Sequence, residues 1–149
     1  MVGPMSTTLT HPDATQLESM LRDAGLRVTQ PRLAVLTVLV DCPHISADAV
    51  FAQVRTTLPH TSLQATYHVL AALADSGLVR RIEPAGHPGL YELRVGDNHH
   101  HVICTSCGAV TDVDCVVGHA PCLTPSDAGG FSIDQAEVTF WGTCGDCRE

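Results

Sequence analysis

Two cysteine pairs place the strictest limit on how this chain can fold. Cys104-Thr-Ser-Cys107 and Cys144-Gly-Asp-Cys147 each separate two thiols by two residues, so both sulfurs of a pair can reach one ion from a tight turn. Two such turns complete a tetrahedral site of four thiolates, which suits Zn²⁺ and is closed to substrate. The pairs lie 36 residues apart, so the predicted site joins the start of the second half of the chain to its end.

The other three cysteines, Cys42, Cys115 and Cys122, lie outside this set. The first twelve residues contain no basic region followed by an apolar stretch, and no apolar run reaches the roughly 20 residues of a membrane span. We therefore expect a cytoplasmic protein with reduced thiols and no membrane partner. Cys42 is interpreted as structural, whereas Cys115 and Cys122 either form a reversible disulfide or pack as apolar side chains.

Three consecutive histidines, His99-His100-His101, precede the first cysteine pair. On a β-strand, His99 and His101 point to one face and His100 to the other, with roughly 7 Å between the first two. This pattern predicts a second metal site, and mixed nitrogen and oxygen ligands there would favour Fe²⁺, Mn²⁺ or Zn²⁺. Spacing alone does not choose the carboxylates of this site. The candidates nearby are Glu92, Asp97, Asp112 and Asp114.

Residues 13–88 have the pattern of four helices followed by a β-hairpin. The first helix is predicted from Asp13 to Ala24, and the hairpin strands are predicted at Leu78–Glu83 and Leu90–Val95, around a turn rich in proline and glycine. The predicted N-caps of the later helices are Thr29, Ser46 and Ser62. This order is typical of a winged helix-turn-helix, whose last helix enters the major groove of DNA, and a helical bundle without a DNA role is the alternative.

The fourth helix is predicted to carry its apolar stripe on Leu63, Tyr67, Leu70 and Leu73 and to end at Gly77. Beyond it, three segments rich in β-formers predict strands at His100–Cys104, Ala109–Val113 and Glu137–Trp141, and residues 118–130 are predicted to be mostly loop.

All eight basic residues of the chain are arginine. Residues 1–83 carry six of them against seven acids, a net charge of −1, and the remainder carries −7. The chain as a whole is therefore not an obvious nucleic-acid binder, but its first half is close to neutral, and DNA binding there depends on whether its arginines gather on one face.

Four sequence stretches together resemble the ferric uptake regulator superfamily, from about Leu17 to Cys147. They are Leu26-Arg-Val-Thr-Gln-Pro-Arg32, Ala65-Thr-Tyr-His-Val-Leu70, Ser76-Gly-Leu-Val79 and His99-His-His-Val-Ile-Cys-Thr-Ser-Cys-Gly108. The stretch from Asp114 to Leu123 further resembles the branch that represses catalase-peroxidase genes in response to peroxide and iron. The resemblance implies an α+β homodimer: a winged-helix domain (13–88), a hinge (89–95) and an α/β dimerisation domain with the zinc turns (96–149), after a mobile tail (1–12).

The resemblance also implies ligands and roles. The family's structural zinc matches the four paired cysteines. Its regulatory site, which takes Fe²⁺ or Mn²⁺ and accepts Zn²⁺ in vitro, matches His44, Glu92, His99, His101 and Asp112. The resemblance places His100 at a position of the family's third metal site. Asp112, where relatives have glutamate, matches the peroxide-sensing type, in which His44 and His99 hold the oxidisable positions.

The expected partner is an A·T-rich inverted repeat in double-stranded DNA. The fourth helix carries no Arg or Lys, so base contacts would come from other side chains, and arginines would bind phosphates. Leu63 is expected to pack in the core. The candidate base-contacting residues are Ser62, Gln64, Thr66, Tyr67 and His68, and the candidate phosphate-binding residues are Arg32, Arg80 and Arg81.

Three functions follow from these features. The first is a metal-dependent repressor that senses peroxide through Fe²⁺ at the hinge. The second is an iron- or zinc-uptake repressor that senses metal concentration without peroxide chemistry. The third is a metalloenzyme that uses the histidine cluster, but the sequence contains no H-E-x-x-H motif and no nucleophile elbow.

Overall fold

The computed structural model describes residues 11–93, 99–115, 122–134 and 136–148. The chain forms two compact units. The first contains the described residues from His11 to Glu83 together with 88–93, and the second contains Pro84–His87 and the described residues from His99 onward. The fold is α+β, as the sequence predicts.

Four helices begin the first unit, and each begins at a side chain that satisfies an exposed backbone N–H. They are α1 (Ala14–Asp23), α2 (Gln30–Asp41), α3 (Ala47–Thr57) and α4 (Leu63–Asp75). Asp13 caps α1 in a reciprocal capping box with Gln16. The three later helices are capped by the predicted residues, Thr29, Ser46 and Ser62.

A three-stranded antiparallel sheet completes the first unit. It contains β1 (Ile45–Ser46), β2 (Val79–Ile82) and β3 (Leu90–Leu93), with β3 in the centre. β2 and β3 are the predicted hairpin, whereas β1 is too short for a sequence pattern to reveal. The central strand β3 lies within the segment 89–95 that the sequence assigns to a hinge. Residues 94 and 95 of that segment lie outside the described part of the chain.

The hydrophobic core of the first unit joins all four helices to this sheet. Leu36 and Leu39 of α2, Val50 of α3, Leu70 of α4 and Val79 of β2 are among its buried members. Apolar positions three and four residues apart put such side chains on one face of each helix, and their burial against one another drives the unit to fold.

The apolar face of α4 differs from the prediction. Leu63 is 38% exposed and Tyr67 is 45% exposed, whereas Thr66 is buried with Leu70 and Leu73. The core face therefore runs through 66, 70 and 73, which is also a helical spacing. Thr66 tolerates burial because its hydroxyl donates a hydrogen bond to the carbonyl of Ser62 at 3.1 Å.

The second unit contains a mixed three-stranded sheet with the order β5-β4-β6. Its strands are β4 (His99–Cys104), β5 (Val110–Asp114) and β6 (Thr139–Gly142), followed by a 3₁₀ turn at Gly145–Cys147. β5 pairs antiparallel with β4, so that His101 lies opposite Asp112, and β6 pairs parallel with β4. These strands match the three predicted segments to within two residues at each end.

Some sequence predictions fall wholly or partly on residues outside the described ranges. They concern the tail at 1–10, the carboxylate of Asp97 and the part of the predicted loop at 118–121. Within the described part of the chain, none of the helices has both the length and the apolar character needed to cross a membrane.

Candidate functional site

The two cysteine pairs meet in the second unit. One sulfur from each of Cys104, Cys107, Cys144 and Cys147 lies within 4.8 Å of the others. The Cys107 and Cys144 sulfurs are 3.8 Å apart. A tetrahedral Zn²⁺ with bonds of about 2.3 Å holds its sulfurs about 3.8 Å from one another, so this geometry fits the ion. The backbone N–H of Cys144 also donates to the Cys104 sulfur at 3.4 Å.

The turn that carries the first pair depends on Gly108. Its backbone N–H donates to the carbonyl of Cys104 at 2.9 Å, and its φ is +76°, which disfavours residues with a Cβ. A Cβ on Gly108 would also lie 2.9 Å from Cε1 of His87. The turn that presents Cys104 and Cys107 to one ion therefore requires glycine at this position.

The thiols of the four-cysteine cluster differ in acidity. The backbone N–H of Cys107, followed by those of Cys144 and Ser106, lowers the pKa of Cys104 from 9.0 to about 6. Hydrogen bonds with the nearby thiols of Cys144 and then Cys107, followed by burial, raise the pKa of Cys147 to about 12. Only a cation can hold all four sulfurs as thiolates, which is the electrostatic signature of a metal site.

In the first unit, His44 and Glu92 form a buried pair. Nε2 of His44 lies 3.0 Å from Oε2 of Glu92, and the two side chains are 10% and 4% exposed. His44 has a φ of +59°, and it is the only residue other than glycine with a positive φ in the described ranges. Such a backbone costs roughly 1–2 kcal/mol, and strain of this kind concentrates at functional sites.

In the second unit, His99, His101 and Asp112 lie on one face of the sheet. Oδ1 of Asp112 lies 3.3 Å from Nε2 of His101 and 3.7 Å from Nε2 of His99. The two imidazole rings meet edge to face with centroids 5.0 Å apart, closer than an extended strand suggests. Both histidines are buried, and an Nε2 atom of each points toward the same partly exposed carboxylate, that of Asp112.

The two units thus each contain part of the ligand set that the resemblance assigns to the regulatory site. Sequence spacing indicated His99 and His101 and included Glu92 and Asp112 among several carboxylates. Spacing could not indicate His44, because it lies more than 40 residues before the other ligands. A signal that could have found it is its Cys-Pro-His context, directly after α2, where no regular structure continues.

A third cluster was only partly expected. The sequence suggested a disulfide or apolar packing for Cys115 and Cys122, and it placed His100 in a separate metal site. All three lie together in the second unit, and both thiols are free. Burial, and then the neighbouring Cys115, raises the pKa of Cys122. A signal that could have joined Cys115 to His100 is β-strand alternation, because His100 lies opposite Val113, and Cys115 is two residues further along.

The exposed face of α4 contains most of the predicted base-contacting residues. Ser62, Gln64, Tyr67 and His68 are exposed at or near the N-terminal end of α4. Thr66 does not belong to this face, since it is 1% exposed and its hydroxyl is bonded within the helix. Leu63 replaces it on the exposed side, contrary to the expected core position.

The predicted phosphate-binding arginines lie on two elements of the first unit. Arg32, in the first turn of α2, donates to the carbonyl of Arg27 at 2.7 Å and is half-buried. Arg80 and Arg81 lie on β2, where Arg81 is exposed and pairs with Glu83 at 2.9 Å. Arg81 and Tyr67 both line a small cavity in this unit, so the strand and the helix present these side chains side by side.

Comparisons with known proteins agree with this arrangement. The model of the ferric uptake regulator family matches residues 23–138. The transcriptional regulator FurA of Mycobacterium tuberculosis is 57% identical over 127 residues, which cover 85% of this chain and 86% of the relative.

Two solved structures extend the similarity to the fold. One is the Vibrio cholerae ferric uptake regulator, whose crystal structure shows a rearrangement of the DNA-binding domains. It matches this chain with a TM-score of 0.64 and 28% sequence identity, and the match covers 85% of this chain and 98% of that protein. The Pseudomonas aeruginosa ferric uptake regulator with manganese has a TM-score of 0.65 and 26% identity, with coverage of 87% and 98%. The chain therefore belongs to the ferric uptake regulator family and is a transcriptional regulator rather than an enzyme.

Proposed function

We propose that this regulator is a metal-dependent repressor whose affinity for DNA is set by an ion bound to residues of both units. The observation that carries the proposal is two ligand pairs, His44 with Glu92, which are 10% and 4% exposed, and the buried His101 with the exposed Asp112. Histidines with little exposure that lie 3.0–3.3 Å from a carboxylate oxygen are typical of ligands that share a cation.

The regulatory ion would be Fe²⁺ or Mn²⁺, because the donors are imidazole nitrogen and carboxylate oxygen without sulfur. His44, Glu92, His99, His101 and Asp112 would hold it. With ligands from both units, the ion would restrict the angles that the units adopt, and it would favour the geometry that fits two half-sites of DNA. The Pseudomonas aeruginosa relative was solved with manganese, which supports this choice of ion.

The DNA partner would be an A·T-rich inverted repeat read by a homodimer in the cytoplasm. Gln64 can pair with adenine in the major groove, and Leu63 can contact a thymine methyl group. Ser62, Tyr67 and His68 complete the candidate base-contacting set. Arg32, Arg80 and Arg81 would bind phosphates, which positions the helix without reading sequence.

The homodimer would form through the second unit, with Zn²⁺ in the four-cysteine site as a structural ion. Phe140 and Trp141 on the edge strand β6 are 50% and 46% exposed, and Phe131 nearby in sequence is 77% exposed. Large apolar side chains on an edge strand of the described sheet favour association with a second copy.

The signal would be peroxide. A bound Fe²⁺ would supply the redox chemistry, and His44 or His99 would gain one oxygen atom, which removes a ligand and releases the DNA. Asp112 favours peroxide as the signal, because aspartate, which is one methylene shorter than glutamate, matches the peroxide-sensing type of the family at this position. The regulated genes would then include a catalase-peroxidase and other oxidative-stress functions.

The second candidate is a repressor of iron or zinc uptake that responds to metal concentration alone. The name of the family favours it. Peptide mass spectrometry separates the two candidates. Protein loaded with Fe²⁺ and exposed to peroxide should gain one oxygen on the peptide of His44 or His99, whereas Mn²⁺-loaded protein should not. An unmodified Fe²⁺ sample would leave the metal-concentration sensor as the function.

Metal control of DNA binding is tested with a promoter fragment in a mobility-shift titration. Mn²⁺ should strengthen binding relative to a chelator-treated sample, and Asp112→Asn should lose that response. Asp134→Asn is the matched control, because it removes the same charge from an exposed position of the same unit. Equal binding with Mn²⁺ and with chelator, or equal responses from both variants, would contradict the proposal.

A further inference from the structure

We propose that His100, Cys115 and Cys122 form a second thiolate site of this regulator, which binds a thiophilic d¹⁰ ion, Zn²⁺ or Cu⁺. The site is separate from the four-cysteine site and from the proposed regulatory site. The resemblance to the family assigns His100 alone to a further metal, and the two thiols come from this structure.

The distances are those of a ligand set. One donor atom of each residue lies within 4.8 Å of the other two, and the Cys122 sulfur lies 3.2 Å from Nε2 of His100. A tetrahedral ion with a sulfur bond of about 2.3 Å and a nitrogen bond of about 2.1 Å separates these two atoms by about 3.6 Å. A shift of about 0.4 Å therefore converts the observed contact into coordination.

β-strand alternation isolates this site from the neighbouring histidines. His101 lies opposite Asp112 and His100 lies opposite Val113, so their side chains project to opposite faces of the sheet. Cys115 follows Val113 by two positions and so continues the face of His100. Among the described residues, the donors grouped with His100 are its one nitrogen and two sulfurs, and Asp114 also lines the adjoining cavity, whereas the other face offers nitrogen and oxygen.

The surroundings suit a soft ion with an open position. A cavity of about 280 Å³ is lined by Cys115, Cys122, His100 and the apolar side chains of Leu123, Val138 and Phe140, among others. His100 is buried and the two thiols are half-buried, so the ligands are sheltered while space is left for a fourth ligand. Two thiolates and one imidazole select Zn²⁺ or Cu⁺ over Fe²⁺ and Mn²⁺.

Binding would displace the protons of both thiols, since only thiolates coordinate. Zn²⁺ in exchange for two released protons leaves the charge of the site unchanged, whereas Cu⁺ in the same exchange lowers it by one. The ion would also link Cys115 to Cys122 across the six residues that separate them in the sequence.

Cobalt spectroscopy tests the site in the full-length protein. Protein that carries one zinc per chain, in the four-cysteine site, is kept reduced with a phosphine and titrated with Co²⁺. The thiolate-to-cobalt charge-transfer absorption is recorded while released zinc is measured. The band should appear without zinc release in the wild type and in the control Cys42→Ser, and it should be lost in Cys122→Ser. Absence of the band, its persistence in Cys122→Ser, or release of one zinc per cobalt would overturn the proposal.

Alkylation of the unaltered protein provides a test that needs no variant. At a zinc concentration about ten times the dissociation constant, modification of Cys115 and Cys122 should slow about tenfold, while Cys42 is modified at an unchanged rate. A parallel arm with Cu⁺, delivered from a chromophoric chelator, identifies which ion binds more tightly. Unchanged modification of Cys115 and Cys122 with both ions would show that they hold neither.

Discussion

Replacing Cys107 with serine should unfold the second unit and leave the first intact. Cys107 is exposed, so serine there removes no buried apolar contact, and a large effect must arise from the lost metal ligand. The described part of the second unit buries only Ile103 and Cys104 as apolar side chains, whereas the first unit buries a cluster of twelve. The second unit therefore has little core with which to replace a lost ion.

The two contributions differ in magnitude. Complete burial of one isoleucine side chain stabilises by about 1.5–3 kcal/mol. A structural zinc site contributes about 10–16 kcal/mol of apparent binding free energy at neutral pH. Because the zinc term is several times larger, we expect the amides of β4–β6 in Cys107→Ser to lose at least about 4 kcal/mol of protection, or about a thousandfold in exchange rate.

Hydrogen–deuterium exchange followed by mass spectrometry measures this loss for each segment, and elemental analysis reports zinc content. The peptides that contain Leu36 and Leu39 of α2 serve as the internal reference, because they belong to the core of the first unit. Cys42→Ser is the control variant and should exchange like the wild type. If zinc-free Cys107→Ser protected β4–β6 within tenfold of the wild type, the reasoning from the small core would be wrong.

Three further outcomes are expected. Gln64→Ala should weaken operator binding by about 1–3 kcal/mol, as measured by fluorescence anisotropy, whereas Gln53→Ala on the exposed face of α3 should not. If the two variants bound the operator with equal affinity, Gln64 would not be a base-contacting residue. In metal-free protein, the free energy of unfolding of His44→Ala should be about 1 kcal/mol lower than that of His44→Gly, because alanine keeps the strain of the positive φ. Urea unfolding measures this difference, and a more stable His44→Ala would show that the backbone at this position is not strained. Zinc affinity in a chelator competition should fall as pH falls, and more steeply below about pH 6, where Cys104 also gains a proton; a slope that flattens there would contradict its lowered pKa.

Sequence patterns predicted local features well because local physics determines them. The caps at Thr29, Ser46 and Ser62 follow from hydrogen bonds over three residues, and the cysteine turns follow from ligands two residues apart. The predicted apolar face of α4 was wrong because Leu63, like Leu70, is apolar and lies at a helical spacing. Periodicity cannot show that Leu63 is exposed and that the polar residue Thr66 is buried in its place.

Long-range features could not be read from spacing. The strand β1 is two residues long, and its existence depends on pairing with β3, more than 40 residues later. The pairing of His44 with Glu92 has the same origin, and only the family resemblance indicated His44. The grouping of His100 with Cys122 depends on chain folding after β5, for which the sequence carries no periodic signal.

The position of the first cysteine pair gives the zinc turn a consequence beyond stability. Cys104 ends β4 and Val110 begins β5, so this turn closes the hairpin between them and fixes its register. In a strand, a slip of one residue turns every side chain to the opposite face. Inserting one residue between Cys107 and Val110 would therefore shift β5 by one position along β4. The side chain of Asp112 would then point to the face of the sheet opposite to that of His101. A metal ion in the four-cysteine site would thus determine which donors His99 and His101 meet, although it would touch neither of them.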